Sequence, residues 1–101
     1  MPFTHVELHD LLSQCVAKGT VTTYADVSQH AYGNRHHGNQ AVPSSLKKLD
    51  EELPDNGVTH RVVREDGGCP LGNSQRAQLR AEGVPFVGDN VDVARCRATL
   101  R

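Results

Sequence analysis

The sequence has no long apolar run, no close pair of cysteines and no excess of basic residues. No apolar stretch approaches the roughly 20 residues that a membrane-spanning helix needs. The N-terminus also lacks the basic and apolar regions of a secretory signal peptide. We therefore expect an intracellular, cytoplasmic protein without a membrane partner.

The cysteines are few and scattered. Cys15, Cys69 and Cys96 are an odd number without CxxC spacing, which argues against a disulfide framework and a cysteine zinc site. His5 and His9 have the i, i+4 spacing that could hold a metal on a helix, but the sequence places no third ligand beside them. We therefore predict free thiols, surface histidines, and neither a metal nor a cofactor.

Length and charge limit the possibilities further. A chain of 101 residues has room for a single small domain, spanning residues 1–101. The formal net charge of -1 argues weakly against nucleic-acid binding, because phosphate contacts usually need a basic footprint. Basic and acidic groups are nevertheless segregated in the middle of the chain: Arg35, His36, His37, Lys47 and Lys48 precede Asp50, Glu51, Glu52 and Asp55. This order could present one basic face with the acids turned away.

Capping residues predict a helix near the N-terminus. Thr4 and Glu7 form a capping box, and Phe3 could pack on Leu8 as a hydrophobic staple. Apolar residues then repeat at helical spacing until Gly19. This first helix is expected to be core scaffold.

Two further helices are predicted to form a helix-turn-helix. Thr22 or Thr23 can cap a helix running to about residue 30, and turn residues at 32–34 precede a third helix over about 39–52. Pro43 is compatible with this third helix only in its first turn, because deeper it would remove a backbone hydrogen bond.

The second half of the chain predicts a hairpin and a last helix. Residues 60–63 are rich in β-branched side chains and residues 65–68 are a strong turn, which together indicate a short hairpin serving as a wing. Ser74 is expected to cap a helix that ends at Gly83, and Pro85 begins an extended tail. The predicted fold class is mainly α, a winged helix-turn-helix domain with a short β-hairpin wing.

Four segments, in order along the chain, carry a resemblance to a known family. Residues 58–62, Val-Thr-His-Arg-Val, resemble the Pro-Cys-His-Arg-Val active-site motif of the O6-alkylguanine-DNA alkyltransferases, whose cysteine accepts the alkyl group. Residues 19–27 are similar to the Gly-x-Val-Thr-Thr-Tyr-Gly-x-Ile segment that opens the family's helix-turn-helix. Residues 75–86 resemble its last helix, and residues 90–95 resemble the tail of the alkyltransferase-like proteins, the non-enzymatic branch.

The reactive cysteine of the motif is absent. Thr59 stands at its position, and a threonine hydroxyl, protonated at neutral pH, is a far poorer acceptor than a thiolate. The resemblance therefore implies no enzyme and no catalytic residue, but a monomer that binds alkylated DNA without repairing it. It implies double-stranded DNA carrying alkylated guanine and nucleotide excision repair proteins as partners, with the protein nucleoid-associated when bound to DNA.

The resemblance also implies which residues contact DNA. Tyr24 matches the tyrosine that crowds the phosphate beside the flipped nucleotide. Gln40 is at the position of the family's arginine that fills the gap left in the DNA by the flipped nucleotide. It lacks the charge and planar stacking surface of arginine. Arg35 is the alternative for this role, although the register favours Gln40. The expected DNA-contacting residues are Thr23, Tyr24, Gln40, Ala41 and Arg61.

The lesion pocket implied by the resemblance is formed by Tyr24, Val58, Thr59, His60, Arg61 and Glu82. His60 and Glu82 match the pair that activates the cysteine in the enzymes, and here we interpret them as holding the strand against the last helix. A hydrolase with Thr59 as nucleophile, His60 as base and Glu82 as orienting group is disfavoured, since neighbours on a strand point to opposite faces.

Two other hypotheses stay open. The chain could be a degenerate family member that acts as a non-specific DNA-binding or protein-interaction module without base flipping, as the loss of the arginine suggests. It could also be an enzyme that uses Thr59 or Cys69, although a loop thiol in the turn after the strand is the plainer interpretation of Cys69.

Overall fold

The computed structural model describes residues 4–33, 41–53 and 57–100, and within them the chain is mainly helical, as predicted. The described helices are α1 (His5–Cys15), α2 (Tyr24–Tyr32), α3 (Ala41–Glu52), α4 (Asn73–Ala81) and α5 (Val93–Cys96). The described strands are β1 (Thr22–Thr23), β2 (Val62–Val63), β3 (Phe86–Val87) and β4 (Asn90–Val91). A 3-10 turn, Thr59–Arg61, leads into β2. None of these helices has the length and apolar character to cross a membrane.

Threonine caps begin the first two helices. Thr4 Oγ1 accepts a hydrogen bond from the N–H of Glu7 at 3.2 Å, as the capping box predicts. Of the two threonines expected at the start of α2, Thr23 is the cap, since its hydroxyl accepts from the N–H of Asp26 at 3.1 Å. Gly33 ends α2 in the left-handed conformation, φ 70, slightly beyond the expected end. The predicted packing of Phe3 lies outside the described residues.

The third and fourth helices confirm their predicted ends but not every predicted start. α3 ends at Glu52, and Pro43 is its third residue, where a missing N–H costs no intrahelical hydrogen bond. α4 begins at Asn73 with Gly72 at its N-cap and no side-chain cap, so the prediction that Ser74 caps it is wrong. The reason is the turn before the helix, which the N–H of Gly72 closes on the Cys69 carbonyl at 3.0 Å.

The hairpin lies elsewhere than the sequence predicted. β2 pairs in parallel with β1, Thr22 opposite Val62 and Thr23 opposite Val63, rather than with a strand after the turn at 65–68. The turn itself forms, closed by the N–H of Arg64 on the Gly68 carbonyl at 3.0 Å. The chain beyond it, Cys-Pro-Leu-Gly, contains proline and glycine, which are poorly suited to a paired strand.

The antiparallel hairpin is formed by β3 and β4, where an extended tail was expected. Phe86 lies opposite Val91, and the hairpin leads into the short helix α5. After α5 the chain returns beside β1, since the N–H of Val21 donates to the Cys96 carbonyl at 2.9 Å and that of Ala98 to the Val21 carbonyl at 2.8 Å. The C-terminal segment is thus fastened to the centre of the fold.

Two hydrophobic clusters lie on either side of the β1–β2 pair. The helical cluster joins α1, α2 and α3 and consists of Leu8, Leu12, Val16, Val27, Val42, Leu46, Leu49, Val58 and Val62. The C-terminal cluster consists of Val21, Val63, Cys69, Leu79, Val84, Val91, Val93 and Cys96. Val62 and Val63 belong to different clusters because successive strand residues point to opposite faces. Val58, before the 3-10 turn, and the strand after the turn are therefore packed into these clusters.

Candidate functional site

Thr59 lies on the 3-10 turn and is bonded to α3. Its Oγ1 donates to Asp50 Oδ1 at 2.6 Å, and the residue is 8% exposed. The expectation that residues 59 and 60 lie on a strand is wrong. They form part of the 3-10 turn, and the strand begins only at Val62. The hydrolase hypothesis is still disfavoured, since the Thr59 proton is donated to Asp50 and not to His60.

A cavity of about 480 Å³ lies beside Thr59. One wall is a face of α3, and the others come from the start of α2 and the loop before α4. Among the residues that the structure describes, the cavity is lined by Tyr24, Pro43, Leu46, Lys47, Asp50, Glu51, Thr59, Pro70 and Leu71. Its volume falls within the range of about 300–1,000 Å³ common for small-ligand sites, which combine apolar walls with a few polar groups.

Tyr24 is the first residue of α2 and has two roles in the structure. It packs against the helical cluster and also lines the cavity beside Thr59. Burial raises the pKa of the Tyr24 phenol, and nearby Arg64 only partly opposes this. The phenol is therefore neutral at physiological pH and can donate a hydrogen bond.

His60, Arg61 and Glu82 form a buried ionic cluster away from that cavity. His60 Nε2 lies 2.9 Å from Glu82 Oε2, and Arg61 Nε and Nη2 donate to the two Glu82 oxygens at 3.0 Å each. Arg61 Nη1 donates to the Val16 carbonyl at 2.9 Å. Burial by itself raises the pKa of Glu82, but the hydrogen bonds from Arg61 and His60 outweigh it and lower the pKa below its ordinary value.

Gln75 holds the 3-10 turn to α4 through its amide. Its Nε2 donates to the carbonyls of His60 at 2.9 Å and Val62 at 3.0 Å, and its Oε1 accepts from the N–H of Leu71 at 3.0 Å. The side chain is 1% exposed, so these bonds satisfy a buried amide. Gln75 therefore fixes both the turn that carries Thr59 and the loop that carries Leu71.

The structure brings together only part of the expected lesion pocket. Tyr24 and Thr59 line the cavity, whereas Val58 belongs to the helical cluster. His60 lines a smaller cavity of about 270 Å³, which shares Asp50, Thr59 and Leu71 with the larger one. Arg61 and Glu82 lie in the ionic cluster instead.

The residues expected to contact DNA are also divided. Thr23 is fully buried as the cap of α2, and Arg61 is only 7% exposed, so neither offers its side chain to a surface in this conformation. Tyr24 is half-buried and Ala41 begins α3. Gln40 and Arg35 lie outside the described residues.

Sequence reasoning missed the wall that α3 contributes. Pro43, Leu46, Lys47, Asp50 and Glu51 recur at i, i+3, i+4, i+7 and i+8, so they share one helix face. That spacing was visible in the sequence, but only the fold shows that this face meets Thr59. The apolar loop residues opposite, including the 57% exposed Leu71, gave no local signal.

The cysteines and His5, which could in principle react or bind a metal, are in places where they contribute to packing or ion pairs. Cys15, Cys69 and Cys96 are free thiols, and burial raises the pKa of Cys69, which keeps it protonated. His5 Nε2 pairs with Glu52 Oε2 and so links α1 to α3. Over the residues that the structure describes, no three His, Cys, Asp or Glu side chains are grouped so that they could hold a metal ion.

The described helices, the parallel β1–β2 pair and the Thr59 turn form a fold that is also found in a solved structure. A solved structure with this fold is that of S. pombe Atl1 in complex with damaged DNA containing O6-carboxymethylguanine. The similarity has a TM-score of 0.63 and covers 100% of this chain and 91% of that chain, at 19% sequence identity. No family model and no curated protein sequence matches the chain. The similarity to Atl1 establishes the fold.

Proposed function

We propose that this protein binds double-stranded DNA containing O6-alkylguanine without catalysis and accepts the rotated nucleotide in the cavity beside Thr59. The observation that carries the proposal is that Thr59, which the motif resemblance aligns with the acceptor cysteine, lines a cavity of about 480 Å³ together with Tyr24. A base rotated out of the stack needs such a pocket, with apolar walls and a few hydrogen-bonding groups. The fold shared with Atl1, solved with damaged DNA, supports it.

The low reactivity of Thr59 and Cys69 supports binding without chemistry. The Thr59 hydroxyl is a poor alkyl acceptor, and the Cys69 thiol is buried with a raised pKa, so neither supplies a reactive anion. The enzyme hypothesis predicts a covalent protein adduct. After incubation with a duplex containing O6-methylguanine, we expect the intact mass of the protein to be unchanged. A gain of one methyl group would contradict the proposal, and its loss in Cys69→Ser would assign the acceptor.

We further propose that the protein acts as a monomer and marks the lesion for nucleotide excision repair proteins, in the cytoplasm and on the nucleoid. The support is the resemblance of the motif and tail to the non-enzymatic branch of the family. A pull-down with lesion-containing DNA, in the presence and absence of this protein, tests the recruitment. Recruitment that does not depend on this protein would contradict it.

The alternative is a DNA-binding or protein-interaction module that does not flip bases. Its specific support is the pair of carboxylates, Asp50 and Glu51, in the wall of the cavity, because carboxylates repel phosphates. Tyr24→Ala separates the two functions. With base flipping, the preference for lesion-containing over unmodified DNA should collapse in this variant.

The matched control is Tyr24→Phe, which keeps the ring packed on the helical cluster and removes only the hydroxyl. We expect it to retain most of the lesion preference, since the bulk of the ring crowds the backbone. Thermal unfolding of both variants shows whether the fold is kept. A folded protein that shows no lesion preference, with or without the Tyr24→Ala substitution, favours the alternative.

A further inference from the structure

The β1–β2 pair brings Tyr24 and Arg64 to the same edge of the fold. The two strands are parallel and in register, with Thr23 opposite Val63. Tyr24 is the residue after Thr23, and Arg64 is the residue after Val63. Paired parallel strands lie about 4.8 Å apart and end at the same edge, so these two residues leave the pair side by side.

The Arg64 side chain lies at the surface on the side of the Tyr24 phenol. Arg64 is exposed, and its stem passes over Gly68, where an added Cβ would lie 3.3 Å from Arg64 Cδ. Burial raises the pKa of the Tyr24 phenol, and the charge of Arg64 is close enough to lower it in part. The guanidinium is therefore near the phenol and open to solvent.

The carboxylates close to this edge are bonded within the protein. Arg97 Nη2 donates to Asp26 Oδ1 at 2.7 Å and to Glu65 Oε1 at 3.0 Å. Asp66 Oδ1 accepts from a backbone N–H two residues later at 2.8 Å. Arg97 thus opposes the charges of the two carboxylates that it bridges, and Arg64 adds a second guanidinium to the same edge.

A nucleotide that enters the cavity beside Thr59 would bring its phosphates close to Arg64. One sugar joins the base to the backbone, so the phosphates on either side of that nucleotide would lie at the rim of the cavity. Tyr24 lines the cavity, and the Arg64 side chain begins next to Tyr24. A guanidinium binds phosphate through its charge and through two parallel hydrogen bonds, and such a contact reads no base.

We propose that Arg64 binds a backbone phosphate of the DNA at the rim of the cavity, beside the nucleotide that enters it. This inference rests on the proposed function and adds a DNA-contacting residue that the motif resemblance does not assign. The cavity accepts the base, whereas Arg64 holds the backbone and contributes affinity that does not depend on the alkyl group.

The first test measures dissociation constants of Arg64→Gln for two duplexes, one with O6-methylguanine and one with guanine, over a series of salt concentrations. We expect both duplexes to bind about fivefold more weakly, with a salt slope smaller by about one, because one phosphate contact is lost. The preference for the lesion should stay within about twofold of that of the unsubstituted protein. Arg64→Lys should keep the salt slope and recover part of the affinity, since it keeps the charge and loses the paired hydrogen bonds.

The matched control is Lys18→Gln, which removes one positive charge from an exposed position in the turn before β1. The chain enters the strand pair there, whereas Tyr24 and Arg64 lie where the strands end. The control should change affinity by less than about twofold, because an exposed charge far from the phosphates is screened by salt.

A second test locates the phosphate. Each phosphate flanking the O6-methylguanine is replaced in turn by a neutral methylphosphonate. At the contacted phosphate, the replacement should weaken binding of the unsubstituted protein about fivefold and that of Arg64→Gln by less than about twofold, because the two changes remove the same contact. Equal effects on both proteins at every flanking phosphate would overturn the assignment of Arg64 to the rim of the cavity.

The outcomes separate the inference from the proposed function. If Arg64→Gln binds as the Lys18→Gln control does while the lesion preference is kept, the Arg64 contact is overturned and lesion recognition is not. If the unsubstituted protein shows no lesion preference but Arg64→Gln still lowers the affinity and the salt slope, the phosphate contact is supported and the proposed function is overturned.

Discussion

In the proposed complex, the size of the side chain at position 59 limits the room that the cavity offers to an adduct. A tryptophan at this position would extend into the space between Tyr24 and α3. We expect Thr59→Trp to weaken binding of a duplex carrying O6-benzylguanine by about tenfold while changing O6-methylguanine binding less, because only the bulky group needs the lost volume. Fluorescence anisotropy with both duplexes measures the ratio.

Thr59→Ser is the matched control, since it keeps the hydroxyl that bonds Asp50 and does not reduce the space. Its ratio of benzyl to methyl affinity should remain that of the unsubstituted protein. An unchanged ratio in Thr59→Trp would mean that the adduct does not enter this cavity.

Glu82 should make the stability of the fold depend on pH. Although burial raises its pKa, the bonds from Arg61 and His60 outweigh this and hold the folded-state pKa below the ordinary value of 4.5. A carboxyl group with a depressed pKa stabilises the fold above its unfolded-state pKa, and this contribution is lost as pH falls through the folded-state pKa. The free energy of unfolding should therefore fall as the pH drops below about 4.5.

Glu82→Gln should remove this dependence and lower stability at pH 7 by about 3 kcal/mol, because it leaves Arg61 buried without its carboxylate. Urea unfolding at pH 7 and at low pH measures both effects. The exposed Glu51→Gln serves as the control and should change neither by much. A Glu82→Gln protein as stable as the unsubstituted one would show that the ionic cluster does not hold the turn.

The sequence motif predicted which residues lie near the cavity better than it predicted where their side chains point. Thr59 and Tyr24 could be predicted as cavity residues because their neighbours in the chain match a family pattern. Arg61 could not be placed, because its inward direction depends on a carbonyl at Val16 and a carboxylate at Glu82, both distant in the sequence. Asp50 was seen only as part of an acidic run.

Among the helices and strands, features set by neighbouring residues could be predicted, whereas features set by distant residues could not. The N-caps of α1 and α2 were predictable because a threonine acts on its own neighbours, whereas the predicted stop of α1 at Gly19 is wrong, since the helix ends at Cys15. The strand at 62–63 was also predictable, but its partner was not. β2 pairs with β1, some 40 residues earlier, because both strands are covered by the two hydrophobic clusters, and such pairing depends on packing rather than on local propensity.

The turn at 65–68 is coupled to the hairpin through Gly67. Gly67 has φ 88, and an added Cβ would lie 2.1 Å from the carbonyl oxygen of Val91. The N–H of Val91 in turn donates a hydrogen bond to the carbonyl of Gly67. Gly67→Ala should therefore lower the free energy of unfolding by about 3 kcal/mol or more, through backbone strain and the clash together. Chemical denaturation measures the loss.

Gly88 provides the matched comparison, because it also has a positive φ, 63, but an added Cβ meets nothing within 4 Å. Gly88→Ala should cost only the backbone strain, about 1 kcal/mol. Equal losses in the two variants would show that Gly67 and β4 are not in close contact.

For the molecule as a whole, the fold is supported by a solved structure, whereas the function is a proposal based on one cavity and a sequence motif. The mainly helical fold is shared with Atl1 along the full chain at 19% identity, so most of the sequence can change while the fold is kept. The proposed function depends on a few positions around one cavity, and Thr59 among them differs from the motif of the family that the sequence resembles. The net charge of -1 also leaves little general attraction to DNA, so affinity should depend strongly on the lesion itself.

The most direct test is a titration of the protein into two labelled duplexes that differ only by one O6-methylguanine, at a fixed salt concentration. We expect the lesion-containing duplex to bind at least about tenfold more tightly, a difference of about 1.4 kcal/mol. Equal affinity for the two duplexes, or no binding to either, would contradict the proposal that this protein recognises alkylated guanine.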